Sequence, residues 1–527
     1  MKTNVIIRNG RIVDGMGSPS FRGDIGIEKE KIIAVGDLSK AEAEIEITAK
    51  GLIVCPGFVD IHTHTDTSFL VNNKADSKIM QGITTEVVGN CGGSPAPITE
   101  LGKSFQSKSN RYKLIGWDWN TVAEYHDRLE TKGLPVNVAL LIGHGTVRAS
   151  VIGYEAREPS SQELESMKSL VEEGMKEGAF GLSSGLKYAP GVYAKTDELI
   201  ELCKIVKKYN GIYATHMRNQ GDKLIESVDE TIEIGEKSGV PIQIAHLKVK
   251  GRDNWGKAKN MLRIIDEARE KGIDVTFDQY PYRAGSTGSW TITPKWSREG
   301  GIESFLKRLR NPEERMKIEE EIPQQEDWTG SERIIIVKFD PDPSLEGKDL
   351  DEIGEMRGKS PQSVMCDLML EAGSSIPTVH FYGWEEDVKE IMAHNAMMLG
   401  SDGSSLASYG ELSKGKPHPR SYGAFTRFLG RYVLNEGVMS LEDGIRRMSS
   451  YPAQKMGILD RGILRIGMFA DVVIFDPEKI IDAATYDNPH QYSKGIEYVF
   501  VNGTMAVMNG KLTGNLSGKV LKHTAYQ

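Results

Sequence analysis

Cysteine is scarce in this chain of 527 residues and occurs only at Cys55, Cys91, Cys203 and Cys366. Their wide and irregular spacing excludes a zinc-finger pattern and a dense disulfide framework. The first residues also lack the apolar stretch and the small-residue cleavage site of a secretory signal. We therefore expect four reduced thiols and a cytoplasmic protein.

An excess of positive charge and long apolar runs are also missing. The formal net charge is −9, and both signs of charge are spread along the chain. This balance excludes the basic footprint of a nucleic-acid-binding protein, and no apolar run is long enough to cross a bilayer. The composition, 39% hydrophobic and 26% charged, is typical of a globular protein. We expect a small-molecule substrate, with no nucleic-acid or membrane partner and an oligomeric state that these patterns leave open.

The two ends of the chain carry similar short β patterns. Asn9-Gly10 lies between apolar runs near the N-terminus, and Asn502-Gly503 does so near the C-terminus. An Asn-Gly pair in this setting is typical of a two-residue hairpin. Because an isolated hairpin is marginally stable, we predict that residues 1–56 and 456–527 combine into one small β-sandwich domain.

The middle of the chain, residues 57–455, alternates short apolar runs with helical patterns about eight times. One such helix begins with a capping box formed by Ser160 and Glu163. The alternation predicts an α/β fold with a (β/α)8 barrel of the TIM type. An open doubly wound sheet is the alternative, but no GxGxxG or Walker motif supports it. A long segment at about 288–375 predicts an insertion between strands 7 and 8, near the barrel mouth.

Polar residues with metal-binding or acid–base capability follow the predicted strands. In such barrels the active site lies at the carboxyl ends of the strands. Each of these residues alone is better explained by packing, whereas six of them at strand ends predict a metal site. Imidazole and thiolate ligands select zinc, which supports hydrolysis, and an aspartate beside it can transfer the proton. The six candidates are His62, His64, Cys91, His216, His246 and Asp402.

Several sequence strings resemble the amidohydrolase superfamily, and within it the N-acyl-D-amino-acid deacylases, also called D-aminoacylases. The strings include "PGFVDIHTHTD", "GNCGGSPAP", "ATHMRNQG", "DQYPYRAGST" and "KPHPR", and the resemblance covers nearly the whole chain. It implies a split β-sandwich around the barrel. It also implies zinc-dependent hydrolysis of the amide bond of N-acyl-D-amino acids, with Asp402 as the catalytic proton shuttle.

The resemblance also implies how the metal is held. Many amidohydrolases bridge two metals with a carboxylated lysine from strand four, whereas this chain has "FGLSSG" there and Lys187 just beyond it. Cys91 is then the implied bridging thiolate. His216 and His246 would complete one tight zinc site with it, and His62 and His64 would form a second, weaker site near Asp402.

A substrate clamp is implied by the same resemblance. Lys248, Tyr280 and Ser286 would bind the α-carboxylate, and a cation with two hydroxyl groups suits that anion. Lys248 follows His246 by two residues and would face the same way on a strand. Arg283 is a weaker candidate for contact with an acidic substrate side chain, since a solvated arginine is the simpler interpretation.

Two other functions remain open at this point. A cyclic amidase, such as a hydantoinase or a dihydroorotase, shares the barrel and the metals but normally needs the strand-four lysine. A non-catalytic scaffold has usually lost metal ligands, and every expected ligand is present here. The family-like strings also contain three residues to which the sequence assigns no role, namely His144, Arg218 and His418.

Overall fold

The structure is a computed structural model that describes residues 2–106, 114–330 and 333–524. It begins with five strands at one side of a large sheet. β1 pairs with β2 in antiparallel fashion and with β4 and β5 in parallel fashion. The five strands are Lys2–Ile12 (β1), Phe21–Glu28 (β2), Lys31–Gly36 (β3), Glu42–Thr48 (β4) and Ile53–Pro56 (β5).

The predicted hairpin at Asn9-Gly10 is wrong, because β1 continues through this dipeptide. Asn9 has a φ of 59°, and the pairing of β1 with β2 shifts register between Ile7 and Gly10. The backbone N–H of Asn9 donates a 2.8 Å hydrogen bond to Oδ1 of Asp24. The left-handed residue therefore forms a β-bulge inside a strand rather than a turn between two strands.

Eight short parallel strands follow, and helices connect most of them. β6, β7 and β8 pair in that order, and β9 to β13 pair in sequence order. Only Leu141 separates β8 from β9, so the two segments act as one barrel strand. The strands are Phe58–Asp60 (β6), Ile83–Val88 (β7), Asn137–Leu140 (β8), Ile142–Gly143 (β9), Gly181–Gly185 (β10), Ile212–His216 (β11), Ile242–Ile244 (β12) and Val275–Gln279 (β13).

An insertion follows β13 and forms a small antiparallel sheet with helices. Its strands are Ala284–Gly288 (β14), Ile334–Ile336 (β15) and Pro377–Phe381 (β16), in the spatial order β14–β16–β15. Apolar residues from Ile292 to Ile376 pack into a core cluster of their own. The folded unit thus extends a few residues beyond each end of the predicted segment 288–375.

The barrel closes through the strand Met397–Leu399 (β17), which pairs with β13 in parallel fashion. An isolated parallel bridge between Thr63 and Gly403 joins the segments that follow β6 and β17. Eight strand positions therefore complete a ring, and the (β/α)8 prediction is confirmed. The shear and tilt of such a ring bring all strand carboxyl ends to one rim.

The C-terminal strands return to the first sheet. β18 pairs with β5, and the strand order β21–β20–β19–β18–β5–β1–β2–β3 joins both ends of the chain. Asn502-Gly503 forms the predicted tight turn between β19 and β20, with φ values of 50° and 76°. The strands are Val472–Phe475 (β18), Ile496–Val501 (β19), Thr504–Met508 (β20) and Lys511–Leu512 (β21).

Not all of the C-terminal segment belongs to that sheet. Gly518 bridges Leu134, and Val520 bridges Val138 of β8. The tail after β21 therefore lies on the barrel and ties the two parts of the molecule together.

Helices cover the outside of the barrel and much of the insertion. The capping box is present, since Glu163 N–H donates to Ser160 Oγ at 3.3 Å and Ser160 N–H donates to Glu163 Oε2 at 2.7 Å. None of the described helices combines the length and the apolar character that a membrane crossing requires. The α-helices are Ser68–Val71, Asp76–Ile79, Glu100–Gln106, Val122–Lys132, His144–Ile152, Ser161–Lys176, Thr196–Lys208, Leu224–Ser238, Ala258–Glu270, Gly301–Arg310, Pro312–Glu321, Leu350–Arg357, Pro361–Ala372, Glu385–Ala393, Arg420–Arg427, Leu441–Met448 and Ser450–Lys455.

Shorter helical segments complete the list of elements. A π-helical segment, Phe428–Asn435, continues directly from Arg420–Arg427. The 3-10 turns are Gly191–Tyr193, Arg252–Asn254, Ser289–Ile292, Lys295–Arg298, Ile322–Gln324, Pro343–Leu345 and Gly410–Ser413.

A buried ion pair in the C-terminal segment is hydrogen-bonded to the barrel. Arg461 contacts Asp471 at 2.5 Å, and both side chains are almost completely buried. The other oxygen of Asp471 accepts the backbone N–H of Asn502 at 2.7 Å, and the side chain of Asn137 in β8 donates to Asp471 at 3.2 Å. Removing one partner would leave the other charge buried and uncompensated.

We expect Asp471→Asn to destabilise the protein by roughly 3 kcal/mol, because Arg461 would lose its only buried carboxylate partner among the described residues. Urea denaturation followed by tryptophan fluorescence measures the change. The matched control is Glu233→Gln, which breaks the exposed pair with Lys237 and should cost less than about 1 kcal/mol. Equal effects of the two substitutions would contradict a special role for the buried pair.

Candidate metal centre and active site

The six candidate residues from the sequence lie at the same rim of the barrel. His62 and His64 follow β6, and His216 is the last residue of β11. Cys91, His246 and Asp402 each follow a strand by two or three residues. The structure therefore brings together all six side chains from five different strands.

The thiol of Cys91 lies among three of the imidazoles. Its Sγ is 3.3 Å from His62 Nε2, 3.7 Å from His216 Nδ1 and 3.5 Å from His246 Nε2. Zinc bonds of about 2.3 Å to sulfur and about 2.0 Å to nitrogen place tetrahedral S and N ligands about 3.6 Å apart. The three distances bracket that value, so this donor set fits a zinc ion.

A second group of possible ligands shares Cys91 with the first. His64 Nε2 is 3.0 Å from Asp402 Oδ1, and His62 Nε2 is 3.5 Å from the same oxygen. The ligand atoms within each group lie within 4.8 Å of one another. The two groups are Cys91 with His216 and His246, and Cys91 with His62, His64 and Asp402. This is the arrangement that a thiolate bridging two metal positions requires.

The electrostatic environment favours the ligand forms of Cys91 and His246. Burial raises the pKa of the Cys91 thiol, but the neighbouring imidazoles of His62 and His246 outweigh burial, so that its pKa lies well below the ordinary value. Burial lowers the pKa of His246 well below its ordinary value. A thiolate and a neutral imidazole are the forms that bind zinc.

The backbone around Cys91 explains the small residues in "GNCGGSP". Cys91 has a φ of 53° and Gly92 a φ of 77°, both in the left-handed region. A Cβ atom on Gly92 would lie 2.6 Å from the backbone nitrogen of Gly185, which follows from the close approach of this loop to β10. His246 and Asp402 also have positive φ values, of 37° and 51°. Non-glycine residues in this region cost energy and are concentrated at functional sites.

Asp278 in β13 supports His62 and His246, and it was not among the residues predicted from the sequence. Its Oδ1 lies 3.0 Å from His62 Nδ1 and accepts the backbone N–H of His246 at 2.8 Å. Gln243 donates to its other oxygen at 3.1 Å. The acceptor at Nδ1 directs Nε2 of His62 toward Cys91, as carboxylates commonly do behind metal-binding histidines. Asp278 is the first residue of the string "DQYPYRAGST", but its neighbours in the sequence do not mark it as a residue of the metal site.

Arg420 holds Asp402, and it too was missed. Its guanidinium lies 2.6 Å from Asp402 Oδ2, with both side chains buried. The backbone N–H of Asp402 also donates to the carbonyl of His62 at 2.8 Å. Burial raises the pKa of Asp402, but the charge of Arg420 outweighs burial and holds this pKa well below its ordinary range. Arg420 ends the string "KPHPR", which was a usable signal.

A completely buried lysine supports the same strand end. Lys78 donates to Asp60 at 2.8 Å and to Ser401 Oγ at 2.7 Å. Ser401 directly precedes Asp402, and its backbone N–H donates to Asp60 at 2.8 Å. Burial raises the pKa of the nearby Glu86 to about 7. This network ties the ends of β6 and β17 together beneath the candidate ligands.

The predicted carboxylate clamp lines the same cavity as the candidate ligands. Lys248 Nζ donates to the Tyr280 hydroxyl at 2.9 Å, and that hydroxyl also bonds to Tyr382. Ser286 Oγ donates to the carbonyl of Thr378 at 2.9 Å. Arg283, in contrast, has a side chain that is 65% exposed and lies beside Glu385, so it is a solvated residue.

Lys187 lies outside both groups of candidate ligands. Its Nζ is 2.5 Å from Glu326 and 3.5 Å from Asp327, two residues of the insertion. To bridge two metals in place of Cys91, Lys187 would have to carry a carboxyl group on its amine. Here the ion pairs with Glu326 and Asp327 engage that amine.

The three residues without a predicted role make polar contacts outside the groups of candidate ligands. His144 lies 2.8 Å from the Glu198 carboxylate, and Arg218 lies 2.8 Å from Glu230. His418 accepts the backbone N–H of Arg420 at 3.0 Å. None of the three belongs to either group of candidate ligands.

A closed parallel barrel with imidazole, thiol and carboxylate groups gathered at its carboxyl rim defines the class of metal-dependent hydrolases. The chain belongs to the amidohydrolase family, whose sequence profile matches residues 46–507. It is 36% identical over 526 residues to a D-aminoacylase from Alcaligenes xylosoxydans xylosoxydans, covering 99% of this chain and 98% of that protein.

Solved structures show the same relationship. An N-acyl-D-glutamate deacylase from Bordetella bronchiseptica, complexed with zinc and a phosphonate inhibitor, has a TM-score of 0.82 and 31% identity. The match covers 99% of this chain and all of that one. A D-hydantoinase from a Thermus species matches with a TM-score of 0.57 and 15% identity over 98% of this chain and 99% of that one. At that identity the likeness is one of fold alone.

Proposed function

We propose that this protein hydrolyses the amide bond of N-acyl-D-amino acids with the help of zinc. The products are a carboxylate and a free D-amino acid. The observation that carries the proposal is the position of the Cys91 thiol between histidines of three strands, at distances that suit zinc. The similarity to a D-aminoacylase and to an N-acyl-D-glutamate deacylase supports the same reaction.

Zinc is the cofactor, and the two groups of residues around Cys91 are the ligands that we propose for it. Cys91, His216 and His246 would hold the tight position, and His62, His64 and Asp402 would supply the second, weaker position. When bound, zinc polarises a carbonyl group and lowers the pKa of a water molecule. The four described cysteines are unpaired, which supports a reducing compartment such as the cytoplasm.

Asp402 is the residue that we assign to proton transfer. Its carboxylate is ionised, buried and within the cavity, and Arg420 fixes its orientation. It would accept a proton from the attacking water and return it to the nitrogen of the leaving amino acid. The reaction then needs no other acid.

The clamp explains how the substrate would be oriented. Lys248 supplies a cation and Tyr280 a hydroxyl, while Ser286 supplies a second hydroxyl on the same wall. With the carbonyl held at the zinc and the α-carboxylate in the clamp, only one direction remains for the side chain. Such a three-point arrangement distinguishes enantiomers, and the D preference of the relatives supports that hand here.

The alternatives have less support. A cyclic amidase resembles this chain in fold only, and Lys187 is paired with the insertion instead of facing the ligands. A non-catalytic scaffold is disfavoured because the structure gathers the complete set of candidate ligands.

The first prediction concerns the metal. Purified protein should contain between one and two zinc equivalents, and Cys91→Ala should lose the tight zinc and the activity, because the shared ligand is removed. Elemental analysis measures the content. Cys203→Ala is the matched control, since Cys203 is buried in the helix Thr196–Lys208 and belongs to neither group. Loss of zinc in Lys187→Ala, with retention in Cys91→Ala, would instead support a carboxylated lysine.

The second prediction concerns the proton shuttle. Asp402→Asn should lower kcat by roughly 100-fold or more, the usual scale of general acid–base catalysis, while KM changes less. Steady-state kinetics measure both values, and zinc analysis of the same sample separates lost proton transfer from lost metal. A normal kcat with a raised KM would indicate uniform binding and would rule out the assignment.

The third prediction concerns the handedness of the substrate. The protein should hydrolyse N-acetyl-D-amino acids and show little or no activity on the L enantiomers, because the opposite hand would direct the side chain into the clamp or the barrel wall. A hydrolysis screen of both enantiomers with several side chains tests this. Equal kcat/KM values for the two hands, or hydrolysis of cyclic imides alone, would refute the proposed substrate.

A further inference from the structure

The charged groups of the active-site cavity are almost all paired with one another. Five lysine, arginine and aspartate side chains line it, namely those of Lys248, Lys250, Asp327, Asp402 and Arg420. Arg420 lies 2.6 Å from Asp402, and Lys250 lies 2.7 Å from Asp327. Each of these two cations is therefore compensated before a substrate enters.

Lys248 is the exception. Within the described ranges, no carboxylate lies within ion-pair distance of its ammonium group, which instead donates to the Tyr280 hydroxyl at 2.9 Å. According to the proposed function, this one uncompensated cation receives the α-carboxylate of the substrate. No second free cation then remains on the described cavity wall.

Asp327 belongs to the insertion, and contacts with three residues hold it in place. It accepts from Lys250, lies 3.5 Å from Lys187, and its backbone carbonyl is 2.9 Å from His380 Nδ1. Burial raises the pKa of Asp327, but Lys187 and Lys250 outweigh burial and hold this pKa well below its ordinary value. The insertion thus presents a fixed negative charge on the cavity wall.

The consequence for the substrate side chain is electrostatic. A second carboxylate would enter a buried site whose lysine and arginine side chains other than Lys248 are already paired, and whose wall carries the negative charge of Asp327. A buried charge without a partner is costly. A cationic side chain gains little either, because two lysines already compensate Asp327. An uncharged side chain avoids both costs.

We infer that this enzyme selects N-acyl-D-amino acids with uncharged side chains, and that Asp327 is the residue that excludes acidic ones. The inference rests on the proposed function and adds the substrate class to it. It also distinguishes this chain from its relative that acts on N-acyl-D-glutamate.

The test compares substrates of equal shape and different charge. We expect kcat/KM for N-acetyl-D-glutamine to exceed that for N-acetyl-D-glutamate by about tenfold or more, because the buried carboxylate lacks a partner. The pair N-acetyl-D-asparagine and N-acetyl-D-aspartate repeats the comparison with a shorter side chain. Equal values, or a preference for the acidic substrates, would overturn the inference while leaving the proposed function intact.

Substitution of the insertion residue tests the mechanism of selection. Asp327→Asn should narrow the preference for the glutamine over the glutamate substrate, measured as the ratio of their kcat/KM values, by about fivefold or more, because Lys250 can then meet the substrate carboxylate. The matched control is Glu326→Gln, which removes a charge from the same cluster but does not line the cavity. In this control variant, the ratio of kcat/KM for the glutamine substrate to that for the glutamate substrate should stay within about twofold of the wild-type ratio.

The outcomes are separable. An unchanged ratio in Asp327→Asn would overturn the role of Asp327. If Asp327→Asn does not fold, the wild-type ratio alone still decides the preference. No hydrolysis of any N-acetyl-D-amino acid by zinc-loaded protein would refute the proposed function itself.

Discussion

The convergence of Cys91 with histidines from three strands is the constraint on which the rest of the site depends. The sulfur atom lies 3.3 to 3.7 Å from three imidazole nitrogens because the parallel strands that carry these residues end at one rim. The barrel supplies that rim. Left-handed backbone at Cys91, His246 and Asp402 then directs the side chains inward, at an energetic cost that the surrounding structure has to offset.

Buried charge is managed in the same way at three places around the candidate site. Asp278 lies behind two histidines, Arg420 lies behind Asp402, and Lys78 joins two strand ends without any exposure to solvent. In each case a charge is buried with a partner that also fixes geometry, which is the condition under which burial is tolerated. The insertion extends this pattern to the cavity wall through Asp327.

The relationship to the amidohydrolase family and the internal geometry support one another. The family membership rests on the matched length of the chain, whereas the ligand set rests on distances within this molecule. The contacts of Lys187 within this molecule also bear on the ligand set. Its pairing with Glu326 assigns it to the contact between barrel and insertion, and the thiol of Cys91 is the group shared by the two sets of candidate ligands.

The sequence by itself determined the class of fold, the strand ends and the six candidate ligands, because hydrophobic periodicity and strand-end position are local properties. It also determined the turn at Asn502-Gly503. Only the tertiary structure decided that Asn9-Gly10 forms a bulge. The left-handed backbone that this dipeptide favours lies inside a strand here, because Asn9 bonds to Asp24 and β1 pairs with β2 on both sides of it. Asp278, Arg420 and Asp327 likewise acquired roles from partners far away in the chain. Such contacts arise from the packing of whole elements, and apart from the string that ends at Arg420 no short pattern in the sequence indicates them.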